Sequence, residues 1–323
     1  MPIYSSLETH HSTHSRLAPS PTGAQHVGNA RTYLVAWLAA RSQSGTLALR
    51  IEDIDSPRTK AGAAEQAMAD LRWLGLDWDG EPVVQTARLP LYEAALRELM
   101  QKELVYPCTC SRTDIANAAS APHAEHEGPT YPGTCAGRSA RDAATLDTLY
   151  AWRFRTAESP GFDDRIVGRT VLDLHSLGGD FVVWKNAGTP AYQLAVVVDD
   201  AQMGITEVVR GDDLLPSTPR QLLLYQALGQ VAPQFAHVPL VVGEDGRRLA
   251  KRHGDTRLSA LREAGVRPEA LLGLLAWSCG WLDRSEPVTV NELLPQFSFE
   301  AIPRTPFVLT ATHLSAIGYR AFA

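Results

Sequence analysis

The chain has 323 residues, 45% of them hydrophobic and 20% charged, with a formal net charge of −6. That length accommodates two domains with separate cores, and the composition is that of an ordinary globular protein. No apolar run reaches bilayer-spanning length, and MPIYSSLETHHSTHSR at the N-terminus lacks a signal-peptide core, so a cytoplasmic protein with no membrane partner is expected. The acidic balance argues mildly against a nucleic-acid partner, although a local basic patch can still grip phosphates.

In chain order, Arg16–Ala18 reads as the end of a short strand, followed by a Pro/Gly turn holding His26. NARTYLVAWLAARSQSG then spaces its apolar residues as a helix that Gly45 stops. TLALRIEDID reads as a strand with Leu47, Leu49 and Ile51 on one face and an acidic end at Glu52. AGAAEQAMADLRWLGLDWD and LPLYEAALRELMQKEL read as helices, and this alternation predicts a doubly wound parallel sheet. From about Tyr106 to Leu149 the texture is Ala-, Pro-, Gly- and His-rich without a period, which marks an insertion. β signals return in LYAWRFRT and DRIVGRTVLDL. The stretch from DFVVW to DDLL then predicts a hairpin, an apolar segment and a buried strand. Ser217 is the expected N-cap of the helix in STPRQLLLYQALG, and from Arg257 onward the signals are helical.

Three stretches carry chemistry. A strand, a tight turn and a helix starting near Gly28 form an expected anion site. Unpaired first-turn N–H groups would face a phosphate there, glycine would admit it, and His26 would donate at the mouth. EDGRRLAKRHG places Arg247, Arg248, Lys251 and Arg252 after an Asp-Gly turn, a basic loop suited to charge developing on phosphate oxygens. Cys108, Cys110 and Cys135 supply three thiols in the insertion, a start for tetrahedral zinc, while Cys279 reads as a small core residue. On ligand chemistry alone His123 or His126 is the preferred fourth ligand.

Together HVGN and RLAKR resemble the paired HIGH and KMSKS signatures of class I aminoacyl-tRNA synthetases. RLAPSPTGAQHVGNART, LRIEDID, AYQLAVVVDDAQMGITEVVRGDDLLPSTPRQ and LAKRHGDTRLSALREAGVRPEALLGLLAW resemble glutamyl-tRNA synthetase catalytic domains, covering most of Arg16 to Trp281. Arg248 and Ala250 depart from the first lysine and the serine of KMSKS, whereas Lys251 is retained. The resemblance implies a Rossmann-like catalytic domain that binds ATP with Mg²⁺ through His26, Gly28, Arg248 and Lys251. His26 and Lys251 would be the catalytic pair. It implies a glutamate pocket in which Arg16 reads the side-chain carboxylate and Glu52 faces the amino group. Ala18, Ser20, Tyr192 and Arg210 complete that pocket.

No segment of anticodon-reading length follows Lys251 before Ala323, and this architecture resembles the shortened glutamyl-Q branch of the family. Members of that branch place glutamate on queuosine, the wobble base of tRNA(Asp). In that branch a tyrosine four residues before the third cysteine completes the zinc site, which here nominates Tyr131 beside Cys108, Cys110 and Cys135. The expected division is residues 1–105 and 186–245 for the two halves of the catalytic domain. Residues 106–185 would form the inserted zinc subdomain, and 246–323 the KMSKS-like loop with a helical stem-contact region. The expected activity is ATP-dependent activation of L-glutamate and transfer to queuosine-containing tRNA(Asp), with a monomer as the working unit. The rivals are a truncated or discriminating enzyme charging a tRNA 3′ end, an inactive tRNA-binding module, and a nucleotidylyltransferase for a small metabolite.

Overall fold

The computed structural model describes residues 12–54, 59–111, 113–115, 130–156, 158–249 and 255–319. Strands β1 (His14–Leu17), β2 (Thr46–Ile51) and β3 (Val83–Val84) pair in parallel in the order β1-β2-β3. Across from them β6 (Phe162–Asp164), β10 (Gln234–Val238) and β9 (Glu207–Gly211) also run parallel. The short β7 (Gly168–Thr170) adds to β6 antiparallel. The two halves meet where β1 lies along β9: the Thr206 N–H donates to the His14 carbonyl (2.8 Å) and Ser15 Oγ to that of Glu207 (3.0 Å). The chain leaves β1 in one direction and β9 in the other. That is a topological switch point, and its crevice opens at the carboxyl ends of the strands.

Helix α1 (Val27–Arg41) connects β1 to β2 and is buried nearly all round, so it belongs to the core rather than to a surface face. It ends at Arg41, and the Gly45 N–H closes onto the Ala40 carbonyl (2.8 Å). A Cβ on Gly45 would sit 2.4 Å from the Thr13 carbonyl oxygen, so only glycine lets the chain re-enter beside β1. Helices α2 (Ala63–Trp73) and α3 (Leu89–Gln101) follow as the sequence predicts. The apolar segment after Ala191 is a helix, α4 (Tyr192–Gln202), and Leu194 through Asp200 are all buried. Burial on every side removes the amphipathic period that identifies a helix. In α5 (Thr218–Ala227), Ser217 holds the N-cap position but does not cap; its Oγ instead accepts from Gln193 Nε2 (2.9 Å).

Within the stretch 106–185 expected as one inserted subdomain, β4 (Val105–Cys108), β5 (Ala151–Phe154) and β8 (Phe181–Trp184) form an antiparallel sheet. Strands β6 and β7 leave it to pair with the β10-β9 sheet, so the stretch is not a single separate unit. Beyond the basic loop come α6 (Leu258–Glu263), α7 (Pro268–Ser278), α8 (Val290–Leu293) and α9 (Ala311–Ala316), which share one core with α1 and the β1-β2 half. Strands β11 (Val241–Val242) and β12 (Phe307–Val308) stitch this region to the catalytic body. Arg31 of α1, fully buried, donates to Ser278 Oγ (2.9 Å), to the Ser278 carbonyl (3.0 Å) and to the Pro239 carbonyl (2.6 Å). No described helix is long and apolar enough to cross a membrane.

Candidate active site

A cavity of about 450 Å³ opens at the switch point. Arg16 from β1, Glu52 just past β2, Tyr192 at the start of α4 and Arg210 on β9 line it, as do Ala18 and Ser20 in the loop after β1. His26, Gly28 and Arg248 lie on the same cavity. Its volume is that of a small-molecule pocket. Lys251 lies outside the described residues; Leu249, two positions earlier, lines the cavity.

The start of α1 differs from the expected anion site. The Val27 N–H donates to the Thr256 carbonyl (3.0 Å), and those of Gly28 and Asn29 donate to His26 Nδ1 (3.1 and 3.4 Å). The first-turn donors are therefore taken, and His26 is the N-cap, with Asn29 Oδ1 accepting from its backbone N–H (3.0 Å). Gly28 makes room for the ring rather than for a phosphate, since a Cβ there would fall 2.9 Å from His26 Cε1. Burial, then the nearby Arg248, pushes the imidazole below its ordinary value. A neutral ring accepting at Nδ1 carries its proton on Nε2, so the helix end offers one directed N–H donor plus the helix dipole.

Beneath the cavity lies a charge network that the sequence did not flag. Arg50, fully buried on β2, donates to Asp200 Oδ1 (2.6 Å) and to Glu52 Oε1 (2.9 Å), and lies 3.8 Å from Asp199. Asp200 also takes Arg16 Nε at 3.4 Å, and Asp199 is held by Gln85, Arg88 and Tyr92. Burial opposes ionisation of Asp200, yet Arg50 and Arg16 together hold its carboxyl below the usual range. Burial wins at Glu52, whose carboxyl is pushed up against the pull of the same arginines. Arg16 and Glu52 are thus fixed in direction by buried ion pairs before any ligand arrives.

Arg210 is different. It is 4% exposed, and its donors go to His237 Nε2 (3.0 Å), Gln221 Oε1 (2.8 Å) and Thr218 Oγ1 (2.9 Å), all uncharged acceptors. No carboxylate pairs with it among the described residues. A buried guanidinium with no carboxylate in hydrogen-bond contact, at a cavity wall, suits an anionic ligand group.

In the insertion the sulfurs of Cys108, Cys110 and Cys135 lie within 4.8 Å of one another, with Cys110 and Cys135 at 3.7 Å. Tetrahedral zinc with thiolates at about 2.3 Å sets sulfurs about 3.8 Å apart, so the cluster fits that ion. Tyr131 Oη is 3.4 Å from Cys108 Sγ and accepts from the Cys135 N–H (2.8 Å), while the Arg153 guanidinium stacks over its ring. His123 and His126 lie outside the described residues.

Known proteins bear on this arrangement. The family described as tRNA synthetases class I (E and Q), catalytic domain, matches residues 12–310, and the chain belongs to that family. It is 52% identical to the glutamyl-Q tRNA(Asp) synthetase of Rhodopirellula baltica, covering 91% of this chain and 93% of that one. With the protein of the same name from Symbiobacterium thermophilum it shares 50% identity, covering 94% of this chain and 97% of the relative. The glutamate–tRNA ligase of Geobacter sulfurreducens is 41% identical over 93% of this chain but only 64% of its own length. Among solved structures, a glutamate tRNA ligase from Elizabethkingia meningosepticum in complex with its amino acid superposes with a TM-score of 0.82. It is 27% identical, and the match covers 95% of this chain and 69% of that one.

Proposed function

We propose that this chain activates L-glutamate with ATP and transfers it to queuosine at the wobble position of tRNA(Asp). End-to-end similarity to glutamyl-Q tRNA(Asp) synthetases carries the choice of acceptor. The unneutralised Arg210 beside Arg16 and Glu52 supports the amino acid, because it sets two cations and one buried carboxyl around a site for a zwitterion with an extra carboxylate.

In the first step an α-carboxylate oxygen of glutamate bonds to the α-phosphorus of ATP, which arrives with Mg²⁺, and pyrophosphate departs. Arg16 and Arg210 hold the side-chain carboxylate and Glu52 the ammonium group, leaving the α-carboxylate directed at the nucleotide. The His26 Nε2–H donates to phosphate oxygens, and Arg248 and Lys251 supply positive charge opposite it. In the second step a hydroxyl of the queuosine ring attacks the glutamyl carbonyl and AMP leaves, giving an ester on the base. Labelled glutamate should pass to queuosine-containing tRNA(Asp) even after its 3′-terminal adenosine is removed, and not to tRNA(Asp) bearing guanine at the wobble position. Charging of tRNA(Glu) at its 3′ end, with none on tRNA(Asp), would instead select the glutamate–tRNA ligase reading.

Cys108, Cys110, Cys135 and Tyr131 hold one structural zinc ion in this reading, remote from the chemistry. Elemental analysis of protein purified without chelator should find about one zinc per chain, and Cys135→Ser should lose it. The variant should lose order in the insertion before it loses glutamate-dependent pyrophosphate exchange. Full activity and stability in metal-free protein would remove zinc from this account.

A further inference from the structure

Resting on that reading of the pocket, we infer that His237 and Asp164 form a positioning pair that holds Arg210 ready for the side-chain carboxylate of glutamate by fixing which imidazole nitrogen faces it. His237 lies on β10, fully buried, with Nδ1 2.6 Å from Asp164 Oδ2 on β6 and Nε2 3.0 Å from Arg210 Nε on β9. A guanidinium N–H only donates, so Nε2 must accept and the ring proton must sit on Nδ1, directed at Asp164. The other Asp164 oxygen accepts backbone N–H groups of Ile166 and Val167 (2.9 Å each) and of His237 (3.2 Å), which prevents the carboxylate from turning away.

The tautomer decides two things at once. It supplies an acceptor for Arg210 without supplying negative charge, so the guanidinium is aimed but not neutralised. A carboxylate placed directly against Arg210 would aim it equally well and compete with the substrate. Thr218 Oγ1 accepts from Arg210 Nη2 and lies 3.2 Å from His237 Nε2, where its own proton can be donated. Gln221 Oε1 takes the remaining nitrogen and is itself turned by Gln193, whose Oε1 accepts from Gln221 Nε2 (2.9 Å). Every acceptor around Arg210 is thus neutral and oriented. Burial keeps the imidazole well below its ordinary value, at about 4, in agreement with a neutral ring at working pH.

Two near-isosteric variants test this by glutamate-dependent pyrophosphate exchange, with circular dichroism to follow the fold. In Asp164→Asn the amide N–H₂ must face Nδ1, because the backbone donors claim the amide oxygen. The ring proton then moves to Nε2 and opposes the Arg210 N–H. Losing one charge-assisted hydrogen bond and its alignment should raise KM for glutamate about 10–100-fold, with KM for ATP unchanged. His237→Gln offers an acceptor to Arg210 and a donor to Asp164, and should keep KM for glutamate within a few-fold of wild type. His237→Leu, which offers neither, should resemble Asp164→Asn. A folded Asp164→Asn protein with unaltered KM for glutamate overturns the inference, as does equal impairment of His237→Gln and His237→Leu. Absence of glutamate-dependent exchange in the wild type would overturn the reading of the pocket itself, and the two failures are distinct.

Discussion

Arg210→Met is expected to raise KM for glutamate in pyrophosphate exchange on the order of 10²–10³-fold while leaving KM for ATP close to wild type. Methionine keeps much of the volume and removes the charge, so the substrate carboxylate would keep Arg16 but lose one of its two cationic partners at a buried wall. Desolvation of that carboxylate is then only partly compensated, and the penalty falls on binding rather than on the chemical step. The three acceptors that surround Arg210 would lose their donor as well. Arg210→Lys therefore provides a second measurement: it restores charge without the planar fork and should recover only part of the affinity. An unchanged KM for glutamate in folded Arg210→Met would remove this residue from the pocket.

Lys251→Ala should behave in the opposite sense, lowering kcat on the order of 10²–10³-fold with little loss of ATP affinity. The chain reaches this residue from Arg248 and Leu249, both on the cavity, with Arg248 paired to Asp213 at 2.9 Å across from His26. In the proposed mechanism Lys251 meets phosphate oxygens as they gain charge, so its contribution would belong to the transition state. Pyrophosphate exchange at saturating ATP and glutamate separates the two parameters. A variant with wild-type kcat and a raised KM for ATP would make Lys251 a simple binding group.

The alternation of strands and helices was legible because β2, α2 and α3 carry a local period, and because α1, although buried nearly all round, is set between a Pro/Gly turn and Gly45. Helix α4 lacks such punctuation as well as a polar stripe, and the buried run Leu194–Val198 fits a buried strand as well as a helix. The insertion was recognisable by its lack of period, and its cysteines by spacing. At the cavity, the residues that the motifs could name sit in loops or at strand ends: His26, Glu52, Arg248. Those that aim them are buried inside regular elements, where an arginine in LALRI reads as a solvent-facing strand position. Arg50 is instead fully buried among Glu52, Asp199 and Asp200, and their separation of up to 150 residues from it leaves no local signal. His237 and Asp164 escaped for the same reason, being 73 residues apart. The capping of α1 by the His26 ring was likewise invisible, since N-caps are ordinarily sought among Ser, Thr, Asp and Asn.

Arg31 gives the molecule a mechanical property. It sits one turn into the helix that His26 caps, and it grips both the end of α7 and the carbonyl of Pro239 with a guanidinium that has no room to turn. Such a clamp removes the hinge at which a helical appendage would otherwise pivot on a nucleotide-binding core. The end of α7 and the helix whose first turn holds the His26 ring are therefore tied through one buried side chain, and neither can shift against the other without breaking hydrogen bonds to a buried cation.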